Sequence, residues 1–368
     1  MTHWIDTPDA LRARIAEPPA IIGLDTEFIR ERTYWPQLAL VQIALGDSAE
    51  DILLVDPLVP GMCDALAPLL ADASVLKIMH SASEDLVAFK HAYGVLPTPL
   101  FDTQIAAALA GVGGGMGYQK LVQAVADVAL AKGETRSDWL RRPLSAAQLE
   151  YAADDVLHLH ALHRHLDATL QAQGRIAWLQ EDCARLLAGV ADDEGERWPH
   201  LALRSAQFLD LAGQRRLLRL LRWREVQAHH SDRPRSWILD NELAFAIARA
   251  APGERAGLQA ILDATPKAPR SLGDAIFAAL HTPLADEGNA PLARGDERDK
   301  KQLRAMQDAV AMAAGELGLP EGLMASRRLL EGLQDGGGWT GPLAGWRRGL
   351  LAPILGSLLA NDPVPVAD

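Results

Sequence analysis

The pattern of apolar residues changes near residue 170, and this change limits the possible folds more than any other feature of the sequence. Before it, short apolar segments typical of strands occur at 20–29, 37–45 and 51–55. The short connections between these three segments favour an antiparallel meander. After residue 170, no segment has a convincing strand pattern. The sequence therefore predicts an α/β domain with a mixed sheet, followed by all-α modules.

The remaining segments before residue 170 alternate between helical and strand patterns. The sequence predicts a fourth strand and four helices, at 74–79 and at 61–71, 84–93, 102–110 and 145–170. Ser145 is suited to cap the last and longest of these helices, because a serine side chain can accept a hydrogen bond from a free amide at a helix start.

Two segments rich in charge, glycine and proline divide the helical part into modules. The predicted organisation is an α/β domain at 1–170, a linker at 171–202, a small helical domain at 203–284, a second linker at 285–299 and a second small helical domain at 300–368.

The charge is spread unevenly. The chain has 36 Lys and Arg against 48 Asp and Glu, a net charge of −12, so no global basic charge indicates a nucleic-acid partner. Residues 1–170 carry 12 basic and 22 acidic residues, whereas 204–235 contains eight arginines and three acids. An acidic module suits metal ions and a basic stripe suits a polyanion. Two solvated faces explain the same pattern equally well.

Cysteine content and hydropathy exclude several classes of protein. Cys63 and Cys183 are the only cysteines, which excludes a disulfide framework and fits a reducing cytoplasm. The first ten residues contain no apolar run, and no stretch approaches about 18 consecutive apolar residues, so we expect neither a signal peptide nor a membrane span. The glycine-rich segment 111–117 is not followed by Gly-Lys-Ser/Thr, so we expect no nucleotide cofactor.

Three separate motifs place carboxylates where they can meet. Asp25 and Glu27 lie two apart near the end of a predicted strand and therefore share one face. Asp85 follows the fourth strand, and Tyr151 and Asp155 lie four apart on the long helix, again on one face. Taken singly, these motifs are better explained by a surface acid pair, a helix cap and an ordinary amphipathic helix. Two buried carboxylates are costly without a counter-charge, which a divalent cation would supply.

In combination, the order Asp-x-Glu, Asp, Tyr-x-x-x-Asp resembles the tyrosine branch of the DEDD exonuclease superfamily. The surrounding sequence resembles the bacterial ribonuclease D family in GLDTEF, QIA, HSASEDL, FDTQIAA and, most specifically, KGETRSDWLRRPLSAAQLEYAADDV at 132–156. The segment LLRWREVQAHHSDRPRSWILDNELAFAIA from Leu220 resembles an HRDC domain, a helical nucleic-acid-binding module. A second, more divergent HRDC-like module would begin near Lys300.

The resemblance implies a ribonuclease H-like mixed sheet and a 3′→5′ exonuclease that uses two divalent ions, Mg²⁺ or Mn²⁺. In the family's arrangement, Asp25 would bridge both ions, and Glu27 and Asp155 would complete the site of the ion that activates water. Asp85 would support the second ion. Tyr151 would orient the attacking water, since its ordinary pKa near 10 makes it a poor free base.

The resemblance also implies the substrate. We expect a monomeric, cytoplasmic exoribonuclease that trims the 3′ ends of structured RNA, above all tRNA precursors, and releases nucleoside 5′-monophosphates. A partial stripe on one helix could contact RNA phosphates; it consists of Arg215, Arg216, Arg219 and Arg222. Two alternatives remain open: a DNA exonuclease of the same superfamily and a catalytically silent nucleic-acid-binding protein.

Overall fold

The computed structural model describes residues 2–130, 133–134, 137–192, 195–294 and 299–359. The chain divides into two compact units. The first unit comprises 1–29, 37–191 and 299–368, and the second comprises 30–36 and 192–298.

The first unit is built on a six-stranded mixed sheet. Its strands are β1 His3–Ile5, β2 Ile21–Ile29, β3 Gln37–Ala44, β4 Ile52–Val55, β5 Leu76–Met79 and β6 Leu100–Asp102. They lie in the order β1-β4-β3-β2-β5-β6. The predicted antiparallel meander of β2, β3 and β4 is confirmed, and β1, β5 and β6 extend the sheet by parallel pairing. Strands β3 and β4 are almost wholly apolar because they are buried, as in sheets covered on both faces.

In the part of the first unit that the structure describes, eight α-helices precede residue 192. They are α1 Pro8–Arg14, α2 Met62–Ala71, α3 Ser83–Tyr93, α4 Thr103–Leu109, α5 Tyr118–Ala126, α6 Ala146–Leu157, α7 Leu159–Ala172 and α8 Ile176–Ala191. Ser145 caps α6 as predicted, accepting from the Gln148 amide at 3.1 Å. The predicted single helix is interrupted at His158, whose backbone leaves the helical region (φ −99°, ψ 0°).

The second unit has its own hydrophobic core, formed by α9 Leu211–Ser231, α10 Arg235–Ile238, α11 Asn241–Ala250, α12 Arg255–Ala264 and α13 Gly273–His281. Asp210 caps α9 by accepting from the Gly213 amide at 2.7 Å. Leu217 and Leu221 of α9 and Ile247 of α11 are all buried in this core. In the described part of the chain, no helix is long and apolar enough to cross a membrane.

The segment 30–36, which connects β2 to β3, folds with the second unit. The backbone amides of Tyr34 and Trp35 both donate to the Asp232 carboxylate at 3.0 Å. The Tyr34 hydroxyl donates to the Glu225 carboxylate. These hydrogen bonds hold the connection against the end of α9.

The last helices return to the first unit; they are α14 Lys300–Leu317, α15 Glu321–Met324, α16 Arg327–Gln334 and α17 Trp346–Leu359. Trp346 stacks on Trp178 of α8 with ring centroids 4.6 Å apart. Arg347 donates two hydrogen bonds, of 2.7 and 2.8 Å, to the buried Asp182 carboxylate, also on α8.

The structure thus differs from the predicted domain boundaries at three places, the first being segment 30–36, which was predicted within the α/β domain 1–170. Much of the predicted linker 171–202 is helix α8, and the predicted separate domain 300–368 shares the core of the first unit as far as it is described. The physical reason is that α8 presents apolar and acidic side chains that α17 covers, and this pairing leaves no local signal in the sequence.

Candidate active site

Five side chains from three elements form the candidate site. Asp25 and Glu27 lie on β2, Asp85 lies in the first turn of α3, and Tyr151 and Asp155 lie on α6, which packs against β2. The other three carboxylates all lie near enough to raise the pKa of Asp25. The structure therefore brings together all five predicted catalytic residues.

Holding four negative charges in this cluster is electrostatically unfavourable. Burial is the main cause of a raised pKa at each carboxyl, and repulsion between neighbouring carboxylates adds to it. The pKa of Asp25 is held well above its ordinary value. The pKa of Glu27 is raised to about 8, and those of Asp85 and Asp155 to about 7. Folding thus gathers carboxylates that repel one another, which calls for a positive counter-charge.

Two hydroxyl groups orient the carboxylates. The Thr26 hydroxyl donates to the Asp85 carboxylate, and the Tyr151 hydroxyl hydrogen-bonds to Asp155. Sequence reasoning missed Thr26, because strand alternation places its side chain on the face opposite to Asp25 and Glu27, and its partner Asp85 lies 59 residues away.

A buried carboxylate outside the cluster holds the start of α3. Asp102, 1% exposed, accepts from the amides of Ala82 and Gln104, both at 2.8 Å. It therefore fixes the turn that carries Asp85 and also caps α4. Sequence analysis noted Asp102 only as part of a motif.

Tyr151 is packed closely by two neighbours. Its ring centroid lies 6.1 Å from that of the buried Trp139. Gly133 also lies against Tyr151, so that a methyl group there would fall 1.6 Å from the Tyr151 ring. Only glycine fits there without moving the tyrosine. Three residues of the quoted motif lie outside the described residues: Lys132, Thr135 and Arg136.

The donor set fits a divalent cation. It consists of carboxylate oxygens, which Mg²⁺ and Mn²⁺ prefer, in a place where positive charge is needed. Within the described residues, no group of three or more His, Cys, Asp or Glu side chains is already gathered to hold a metal ion. Asp85 and Asp155 each accept a hydrogen bond from a hydroxyl, those of Thr26 and Tyr151, and a carboxylate has further lone pairs with which it would bind an ion.

We expect the metal-free protein to lose stability as pH rises from about 4 to about 8. A carboxyl with a raised folded-state pKa binds its proton more tightly when folded, so the free energy of unfolding falls between the unfolded and folded pKa values. That interval runs from 4.5 to about 8 for Glu27 and from 3.8 to about 7 for Asp85 and Asp155. Thermal unfolding in EDTA across this range measures the effect.

Two comparisons complete this pH experiment. Mg²⁺ should raise Tm more at high pH than at low pH, because it replaces the proton as counter-charge. Glu27→Gln should flatten the curve in EDTA. If Glu27→Gln leaves the slope unchanged, the carboxylate cluster is not the source of the pH dependence.

The predicted phosphate contacts lie on α9; they are Arg215, Arg216, Arg219 and Arg222. Most of them have partners within the second unit. Arg219 pairs with Glu287, Arg222 pairs with Asp286 at 2.8 Å, and Arg216 donates to a backbone carbonyl. To bind phosphates, these three arginines would have to leave their present partners or contact both at once.

Comparison with known proteins agrees with this site. A family model described as 3′-5′ exonuclease matches residues 2–171, and the HRDC domain model matches residues 214–280. Ribonuclease D of Xanthomonas oryzae is 62% identical over 98% of this chain and 100% of its own length. The chain belongs to the ribonuclease D family. It is a 3′→5′ exoribonuclease with an N-terminal mixed-sheet exonuclease domain and a helical HRDC domain, as predicted.

Other members of the ribonuclease D family agree over nearly the full length. Ribonuclease D of Pseudomonas paraeruginosa is 39% identical over 94% of both chains. The crystal structure of Escherichia coli RNase D, described as an exoribonuclease involved in structured RNA processing, superimposes with a TM-score of 0.83 at 30% identity. The match covers 99% of this chain and 100% of that one.

Proposed function

We propose that this exoribonuclease trims the 3′ ends of tRNA precursors and other structured RNAs, releases nucleoside 5′-monophosphates and depends on two divalent cations, Mg²⁺ or Mn²⁺. The observation that carries the proposal is the convergence of four carboxylates and one tyrosine from β2, α3 and α6. The choice of structured RNA as the substrate is supported by the description of the Escherichia coli relative. The monomeric state and the cytoplasmic location stay predictions.

In this proposal Asp25, Glu27, Asp85 and Asp155 hold the cations. When bound, the cations supply positive charge for the attacking and leaving oxygens of an in-line phosphodiester displacement. The Tyr151 hydroxyl orients the attacking water. Burial and the neighbouring carboxylates raise the pKa of Tyr151 far above its ordinary value, so the hydroxyl keeps its proton and acts by hydrogen bonding.

A time course on a 3′-extended tRNA labelled at its 5′ end tests the proposal. We expect shortening by single nucleotides that requires Mg²⁺ or Mn²⁺, stops in EDTA and stalls near the mature end. A 3′-extended DNA of the same sequence serves as the parallel substrate. Preferential shortening of the DNA would favour the alternative of a DNA exonuclease, and binding without shortening would favour a silent binding protein.

The proposed RNA contacts on α9 can be tested separately. The double variant Arg215→Gln/Arg216→Gln should weaken binding of structured RNA more than binding of a short single strand. Each lost phosphate contact should lower the slope of log affinity against log salt by about 1. Fluorescence anisotropy at several salt concentrations measures both quantities.

The matched control is Arg304→Gln/Arg327→Gln, which removes two exposed arginines that pair with acids on their own helices. An equal loss of RNA affinity in both double variants would show that the α9 stripe has no special role.

A further inference from the structure

Arg142, which follows Trp139 by three residues, is held in a fixed position by its neighbours. Its Nε and Nη2 atoms donate to the two oxygens of Asp56 at 2.8 and 2.7 Å. Nη1 donates to the Trp139 carbonyl at 2.8 Å, and Nη2 also donates to the Ala39 carbonyl at 2.6 Å. A planar guanidinium can make this set of contacts at once, whereas an ammonium group cannot.

The contact with Ala39 reaches the strand pair that carries Glu27. Glu27 pairs with Leu40 across the sheet, whereas the next residue, Phe28, pairs with Leu38. Ala39 is therefore the extra residue of a β-bulge directly opposite the peptide between Glu27 and Phe28. Bulges re-aim the side chains beside them, so the hydrogen bond from Arg142 fixes the local geometry that directs Glu27.

The contact with Trp139 reaches the tyrosine of the site. Trp139 is 2% exposed, and its ring packs against that of Tyr151. The same guanidinium therefore fixes both the bulge beside Glu27 and the aromatic surface beside Tyr151. Asp56, at the end of β4 and 6% exposed, anchors the guanidinium to the sheet.

We propose that Arg142 is a positioning residue, which sets Glu27 and Tyr151 relative to each other through the β-bulge at Ala39 and through Trp139. Its hydrogen bonds go to Asp56 and to backbone carbonyls and not to Glu27 or Tyr151, so it would act on them only through Ala39 and Trp139. The inference rests on the proposed assignment of Glu27 and Tyr151 to the active site.

The test is Arg142→Lys, which keeps the charge and removes the bidentate pair. We expect kcat to fall on the order of 10- to 100-fold, as misplacement by about 1 Å can cause, while RNA affinity and KM stay unchanged. Calorimetry on the RNA-free protein should show weaker Mn²⁺ binding, because Glu27 is no longer held in place. Asp56→Asn should also lower kcat and weaken Mn²⁺ binding. It serves as the test if Arg142→Lys does not fold.

The matched control is Arg347→Lys. Arg347 also makes a bidentate pair with a buried aspartate, Asp182, and donates to a backbone carbonyl, that of Leu323 at 2.7 Å. This control should lower Tm and leave kcat and Mn²⁺ affinity unchanged at temperatures below unfolding. Equal loss of kcat in both arginine variants, or wild-type kcat and Mn²⁺ affinity in Arg142→Lys, would overturn the proposal.

Asp25→Asn, measured in parallel, separates failure of this inference from failure of the site assignment. If Asp25→Asn keeps full activity, the assignment of the site is wrong and the inference falls with it. If Asp25→Asn is inactive while Arg142→Lys behaves as wild type, only the positioning role is wrong.

Discussion

Asp25→Asn should abolish exonuclease activity, with a fall of roughly 10²- to 10³-fold or more, while the protein stays folded. Asp25 is the carboxylate whose pKa all three others raise, so it lies at the centre of the cluster. Removing its charge deprives the proposed cation site of its central ligand. The same change should raise the Tm of the metal-free protein, because it removes a carboxyl group whose charge is opposed by burial and by its neighbours.

The opposite directions of the two effects make this experiment specific. A gel time course measures the rate, and thermal unfolding in EDTA measures Tm. Asp47→Asn is the control, since Asp47 is an exposed carboxylate of the same unit that pairs with Arg164 on the surface. Retained activity in Asp25→Asn would remove the basis for the site, and a lowered Tm in EDTA would contradict the proposed repulsion.

Tyr151→Phe should slow turnover roughly 10²- to 10⁴-fold and leave RNA affinity unchanged. The ring would keep its packing against Trp139, and only the hydroxyl beside Asp155 would be lost. The attacking water would then lack the group that orients it. Single-turnover rates give the chemical step, and anisotropy with labelled RNA in EDTA gives the affinity.

Tyr93→Phe is a control of the same chemistry. Tyr93 lies in the same unit, and its buried hydroxyl faces the Cys63 thiol instead of a carboxylate. This variant should keep the wild-type rate. A loss of RNA affinity equal to the loss of rate in Tyr151→Phe would show that the tyrosine binds substrate and does not position water.

The sheet illustrates which parts of the fold could be predicted from sequence. Strands β2 to β4 are apolar over four or more residues, and their short connections define the meander. Strands β1 and β6 have three residues each, too few for any periodicity. The break at His158 also lacked a signal, because no glycine or proline stands there and the apolar spacing continues on both sides.

In the candidate site, too, the contacts between residues close in sequence could be predicted, and those between distant residues could not. The pairing of Asp25 with Glu27, and of Tyr151 with Asp155, follows from the periods of strand and helix. The hydrogen bond from Thr26 to Asp85 joins residues 59 positions apart, and that from Arg142 to Ala39 joins residues 103 positions apart. Such contacts depend on the assembled tertiary structure, so spacing along the chain cannot indicate them.

The membership of segment 30–36 in the second unit has a consequence for how this protein can be altered or divided. The polypeptide passes between the two units four times, near residues 29, 36, 191 and 298. Excising residues 192–298 would leave the hairpin between β2 and β3 with a loop that has lost its hydrogen-bonding partners, directly after the strand that bears Glu27. A minimal nuclease would therefore need a newly designed turn at this hairpin. Transplanting the HRDC unit to another enzyme would likewise require the short peptide with Tyr34 to travel with it.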